Sequence, residues 1–285
     1  MGKNSKKGKN MKTIIGIICA VLIVTGCQTT TARKESPIDL ERPVQETSST
    51  QILEEANAAF SQDNFDQAVE LYTQWLAEHS DDEVALVNRG RAQAQRQEYE
   101  AALEDFQAAK TTIALIHAGR VYLIQNKVKP AKNMIDQALN KDDFQKLDAS
   151  KKYMAYYLDG QIKNMLEQYE EALLALNQAL EIFNTSPGSF KKQGIQNIQR
   201  FAIYHKALAL HYLNKNKDVP ELMEQYIALT KEAGDEVTSH DYKSLALAYY
   251  LANNIDKCKA ILPEVDPADR AALHAQFGDS FFLAN

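Results

Sequence analysis

The sequence is poor in the features that mark covalent stabilisation or catalysis. Its 285 residues hold three cysteines, Cys19, Cys27 and Cys258. Two of them fall within residues 1–27, so the remainder has one thiol, no intrachain disulfide, and must draw its stability from packing. Cys258 sits where a small core residue belongs, and a core thiol is expected there rather than a nucleophile. After Cys27 no apolar run approaches the ~20 residues that a membrane-spanning helix needs. The six histidines, His79, His117, His205, His211, His240 and His274, form neither an H-x-x-x-H nor an H-E-x-x-H pair. G-x-S-x-G, paired-cysteine and glycine-rich phosphate motifs are missing too, so no enzyme, metal or cofactor is expected. Positive charge is also short: 32 Lys and Arg face 38 Asp and Glu, for a net charge of −6. An acidic chain is a poor general binder of nucleic acid, which is not expected as a partner.

What is present begins at the N-terminus. Residues 1–12 carry Lys3, Lys6, Lys7, Lys9 and Lys12 and no acid, and Ile14 to Val24 is nearly all apolar. A basic head, a short apolar stretch and small residues at its end describe an export signal. A buried amphipathic helix would need a polar face, which this stretch lacks. Gly26–Cys27 ends the run, and Gln28-Thr29-Thr30 turns at once polar. Val24-Thr25-Gly26-Cys27 resembles the bacterial lipobox. That resemblance implies cleavage before Cys27 and acyl chains on its sulfur and new amino group. Each buried CH₂ contributes ~0.8 kcal/mol, and two or three chains give stable anchoring where one does not. Gln28 is not the Asp that keeps many such lipoproteins at an inner membrane, so the resemblance favours an outer-membrane address in a two-membrane cell. Loss of residues 1–26, with five lysines and no acid, moves the net charge from −6 to −11. Residues 27–49, polar and holding Pro37 and Pro43, read as the lipidated end of a flexible tether. Its root-mean-square reach is roughly 25 Å, at ~5–6 Å times the square root of length.

From residue 50 to about 265 the pattern turns helical, with apolar residues at three- and four-residue steps. Ser80 with Glu83 reads as a capping box, and Asp266-Pro267 as the cap of a closing helix within 266–285. The helices repeat. NFDQAVELYTQWL (64–76) aligns with EYEAALEDFQAAK (98–110), Phe65 with Tyr99, Ala68 with Ala102 and Tyr72 with Phe106. A small residue stands twelve positions before each second-helix small residue: Ala56 and Ala68, Gly90 and Ala102, Gly119 and Ala131, Gly160 and Ala172, Ala246 and Cys258. Ala207 and Val219 keep the interval weakly. Two antiparallel helices that cross at small residues approach closely, while the side chain four residues after the second fills the next groove. Phe65, Tyr99, Val128, Tyr169 and Ile255 stand where each pair turns.

This pattern resembles the tetratricopeptide repeat, a helix pair of 34 residues with small residues at those places. LIHAGRVYLIQNKVKPAKNMI and YKSLALAYYLANNIDKCKAIL carry the resemblance most clearly. It implies an all-α solenoid of five to six repeats. The first-helix small residues are 34, 29, 41, 47 and 39 apart, so the back half is irregular. A copy at about 199–230 is poor, and Ser186-Pro187-Gly188 opens a longer insert before it.

A solenoid of helix pairs offers a concave face built from its first helices. The residue after each small one is expected on it: Asn57, Arg91, Arg120, Gln161, Leu208 and Leu247. Phe60, Leu123, Ile124, Tyr157, Tyr212 and Tyr250 are their expected outward neighbours. Asn57, Arg91, Arg120, Tyr157 and Gln161 together suit an extended peptide with acidic groups; ordinary solvated residues are the competing reading. Asn57 and Asn88 match the two asparagines of the family's carboxylate clamp, but Leu53, Ile113 and His117 replace its three basic residues, so that clamp is not expected. Tetratricopeptide lipoproteins serve pilus and secretin assembly, outer-membrane protein insertion and recruitment of cell-wall enzymes. The resemblance thus implies a lipid-anchored adaptor at an envelope complex, with protein partners on the concave face. The alternative is a lipoprotein that holds a small or oligomeric solute in the curved cavity.

Overall fold

A computed structural model describes residues 49–192, 195 and 197–278. The expected signal, Cys27 and nearly all of the tether lie outside the described residues, as does the chain after Gly278. Every regular element among the described residues is helical. Helices α1 (Ser49–Ser61) and α2 (Phe65–Glu78) form the first pair, α3 (Glu83–Gln95) and α4 (Tyr99–Ala109) the second, and α5 (Thr112–Ile124) and α6 (Val128–Leu139) the third. The fourth pair is α7 (Ala149–Met165) with α8 (Tyr169–Thr185), followed by a short α9 (Pro187–Lys192). The fifth is α10 (Gln199–Tyr212) with α11 (Val219–Glu232), and the sixth α12 (Ser239–Leu251) with α13 (Ile255–Ile261). A last helix, α14 (Pro267–Phe277), follows.

The twelve-residue interval marks the crossings. Ala56, Ala68, Ala102, Ala131, Ala172, Ala246 and Cys258 are all fully buried. The three crossing glycines are held against side chains four residues beyond their partners. A Cβ on Gly90 would lie 2.8 Å from the Phe106 ring, one on Gly119 2.7 Å from Ile135 Cδ1, and one on Gly160 2.5 Å from Leu176 Cγ. Only a bare Cα fits, which is why these helices can cross so closely.

Turns repeat as faithfully as crossings. In five pairs three residues join the helices, and the middle one is left-handed: Asp63, Gln97, Asn126, Glu167 and Asn253, with φ between 57° and 64°. The next amide then reaches back to the carbonyl five residues earlier, as Asn64 N does to Ala59 O at 2.9 Å and Glu98 N to Gln93 O at 2.9 Å. This closure satisfies the last carbonyls of the first helix and aims the chain into the second. The fifth pair starts identically, with Asn214 at φ 57°, but three further residues precede α11. Val219 therefore opens its helix, whereas Ala68 is the fourth residue of its own. That shift explains the weak fifth copy.

Two local expectations need correction. Ser80 is not the cap of α3. Asp82 is, accepting from Val84 N at 3.0 Å and Ala85 N at 3.1 Å, and its second oxygen accepts from Trp75 Nε1 at 2.7 Å. The nearer carboxylate serves both its own helix and the preceding pair. The insert at 186 is also no mere loop. Helices α7 and α8 run 17 residues each, longer than any of the other helices, and the insert covers their extra turn. The Phe190 ring is fully buried, 5.5 Å from Tyr153 and 4.7 Å from Phe183. The Tyr153 hydroxyl donates to Ile198 O at 2.9 Å. Asp266 caps α14 as expected, accepting from Asp269 N at 2.8 Å, with Pro267 first in the helix.

The core is spread along the chain. Separate apolar clusters link the first two pairs, the third with α7, the fourth with the insert and α10, and the last two with α14. Each pair buries its apolar face on its neighbours, as a solenoid requires.

Candidate functional site

The first helices of the second to fifth pairs touch in succession: α3 meets α5, α5 meets α7, and α7 meets α10. Their inward positions thus form one continuous face. It is built from four residue types with different environments.

At its start, Asn57 on α1 is half-buried and accepts from the Tyr72 hydroxyl at 2.5 Å. Burial pushes the Tyr72 phenol well above its ordinary value, so it stays a neutral donor. Arg91 on α3 is only 6% exposed. Its guanidinium lies 4.6 Å over the Phe60 ring, and Nη1 donates to Asn88 Oδ1 at 3.1 Å. Cation–π contact and this hydrogen bond hold the charge inside the protein, beside the first pair. Asn57 and Arg91 therefore belong to one cluster at the α1–α2–α3 junction. Arg120 holds the same position on α5, and Gln161 on α7; both are half-buried. Tyr157, one turn before Gln161, is half-buried among rings, 6.2 Å from Tyr153 and 5.7 Å from His205.

Phe60 and Leu123 depart from expectation: both are core residues, 4% and 5% exposed. Phe60 turns toward Phe65 and Arg91 rather than outward. Ile124, Tyr212 and Tyr250 are half-buried, as are Leu208 and Leu247 on α10 and α12. The last two line an apolar cleft beneath α14. That cleft had no signal in the sequence, because it joins α10, α11, α12 and α14 across long separations. His205 was also missed as a buried group: it is 7% exposed, and burial lowers its pKa to about 4. Burial likewise pushes the Cys258 thiol up to about 11, which leaves it protonated and inert at neutral pH. Among the described residues no cluster of three His, Cys, Asp or Glu is placed to hold a metal.

A tetratricopeptide-repeat family model matches residues 53–114, the first two pairs and the start of the third. Solved structures extend the likeness over most of the chain. The fold is that of a tetratricopeptide-repeat solenoid. A tetratricopeptide repeat protein from Parabacteroides merdae is 15% identical, covering 82% of this chain and 89% of its own, with a TM-score of 0.55. PilW, described as a widely conserved type IV pilus biogenesis factor, is 14% identical over 80% of this chain and 100% of its own, with a TM-score of 0.60. A chain of the APC/C hetero-tetramer Cut9–Hcn1 is 12% identical with a TM-score of 0.59; the match spans 80% of this chain and 42% of that one. At such identities the likeness is one of fold. No curated protein sequence matches the chain. Tetratricopeptide-repeat proteins are in general non-catalytic scaffolds that bind proteins, and the environments above fit that use. A half-buried cation, Arg120 on α5, and a half-buried phenol and amide, Tyr157 and Gln161 on α7, stand on helices that touch.

Proposed function

We propose that this protein is a membrane-tethered adaptor or assembly factor of a bacterial envelope complex, which presents the inner face of its solenoid to a protein partner. The observation that supports the reading is the contact of α3 with α5, α5 with α7 and α7 with α10; Arg120 stands on α5, and Tyr157 and Gln161 on α7, in that series. An extended segment laid along these helices meets a guanidinium, which grips a carboxylate in a planar, two-pronged way, then a ring and an amide. An acidic or carboxylate-bearing peptide is the partner this order favours. Arg91 contributes from within, its charge held under the first pair. The lipobox-like Val24-Thr25-Gly26-Cys27 supports the tether, and the polar segment after it gives the solenoid room to stand off the surface. PilW, of similar fold, serves pilus biogenesis; envelope assembly of that general kind is the setting proposed here, at the periplasmic face of the outer membrane if the cell has two.

The tether is tested by replacing Cys27 with Ser and fractionating cells. The parent is expected in the membrane fraction and Cys27→Ser in the soluble one. A Cys27→Ser protein that stays as firmly membrane-bound as the parent refutes the anchor.

A further inference from the structure

The apolar cleft at the end of the solenoid lies apart from the inner-face row of the first four pairs. Its walls are Leu208 of α10, Met223 of α11, Leu247 and Ala248 of α12, and Leu273 of α14. It holds about 90 Å³. That is well above the ~10–15 Å³ that admits one water and below the ~150 Å³ of a dry cavity that takes benzene. A single branched, four-carbon group is the apolar unit of that size.

The polar groups around it restrict the ligand further. Gln276 of α14 lines the cleft, and its amide nitrogen Nε2 is buried without a hydrogen-bond partner among the described residues. A buried donor left unpaired costs about 1–3 kcal/mol, so an acceptor placed there is rewarded. Lys243 also lines the cleft, but its charge is neutralised by Asp269, with Nζ 2.7 Å from Oδ1. The other titratable groups on the wall are the phenol of Tyr204 and the histidines His211 and His240. Burial holds both histidines below their ordinary value, and Lys243 adds to the effect at His240. The wall is thus close to neutral at pH 7, and a charged ligand would lose its hydration for little return.

We propose that this cleft is a binding site for a branched apolar side chain followed by a neutral carbonyl, which accepts from Gln276 Nε2. Leucine within a peptide and a small leucine-like amide share that chemistry. A free carboxylate or amine does not fit it. The site stands independently of the reading given to Arg120 and its neighbours.

The test uses the full chain and blocked probes: acetyl-leucinamide, acetyl-alaninamide, and a blocked heptapeptide with leucine at its centre and alanine elsewhere. Methyl resonances of Leu208, Met223, Leu247 and Leu273 report occupancy. Acetyl-leucinamide should shift them saturably, and acetyl-alaninamide at least tenfold more weakly. The heptapeptide binding as tightly as the amide identifies a chain interior as the natural source, and the amide alone identifies a solute. Gln276→Leu should weaken the leucine probe at least tenfold while melting no earlier than the parent, and Ser244→Trp, which puts an indole on the cleft wall, should block it. The proposal is overturned by absence of saturable shifts, by equal binding to Gln276→Leu, or by binding that appears only once residues 279–285 are deleted, since the cleft then belongs to the chain's own end.

Discussion

Adding one methyl to each crossing glycine separates close helix contact from helical propensity. At an open helical position Gly→Ala stabilises by about 1 kcal/mol. The crossings should reverse that sign to different degrees. At Gly90 the new Cβ meets Phe106 Cε1 at 2.8 Å and the Ala102 carbonyl oxygen at 3.1 Å. A backbone oxygen cannot rotate away, so helices α3 and α4 must separate. At Gly160 the clash is with Leu176 Cγ at 2.5 Å, a branch point close to its own backbone, with Ala172 O at 3.3 Å. At Gly119 the nearest atom is the terminal methyl of Ile135 at 2.7 Å, and the Ala131 oxygen stands off at 3.5 Å. Overpacking costs about 1–3 kcal/mol. Set against the propensity gain, Gly90→Ala and Gly160→Ala should lose about 1–2 kcal/mol, and Gly119→Ala about 0–1, while Gly119→Leu should approach the full cost. For a chain of this size 1 kcal/mol moves the melting temperature by ~2–4 °C. Thermal unfolding followed at the helical circular-dichroism band measures the series. If Gly90→Ala and Gly160→Ala melt at or above the parent, the close-contact argument is wrong.

Two further perturbations follow from buried or strained groups. His205 has its folded pKa lowered to about 4 by burial, so between that value and its unfolded value of ~6.5 the unfolded chain binds more protons. Its contribution is therefore fully present above pH ~6.5 and lost as pH falls toward 4, a total of roughly 3 kcal/mol at about 1.4 kcal/mol per unit. Urea midpoints of the parent between pH 7 and 4, compared with His205→Asn, should show a slope that the variant lacks; parallel profiles would contradict it. The left-handed turn residues Gln97 and Glu167, at φ 64° and 60°, carry a steric cost that glycine avoids, so Gln97→Gly and Glu167→Gly should be neutral or stabilising by up to about 1 kcal/mol. A loss above that size at either position would contradict the turn assignment.

The repeat was legible in the sequence because close crossings leave a residue-type signature. Ala56, Gly90, Gly119, Gly160 and Ala246 had to be small, and the twelve-residue step to their partners follows from two helical arms and a three-residue turn. The side chains four residues on, Tyr72, Phe106, Ile135 and Leu176, then follow from the groove they fill. Inner-face environments were harder to read, because they depend on what the neighbouring pair presents. Arg91 and Arg120 share a position, yet Arg91 lies under the Phe60 ring of the pair before it. Spacing alone treats the two alike. The fifth turn deceived the pattern for a different reason. Val219 keeps its interval from Ala207 by chance of a longer link, and only the backbone shows that it opens α11. The insert at 186 was marked by Pro187 and Gly188 but its role was not, since Phe190 finds Tyr153 across nearly forty residues of chain. The cleft under α14 is an extreme case of the same limit, assembled from four helices far apart in sequence.

The central claim is that a protein partner lies along the inner face at Arg120. The decisive measurement is recovery of partners on the tagged full chain from detergent-solubilised membranes, with melting temperature as the control for folding. Arg120→Glu and Arg120→Gln should lose the partner that the parent retains, while melting with it. Lys129→Glu, at an exposed position of α6, should keep it. Retention of the same partner by both folded Arg120 variants, or its loss from Lys129→Glu alone, would contradict the account.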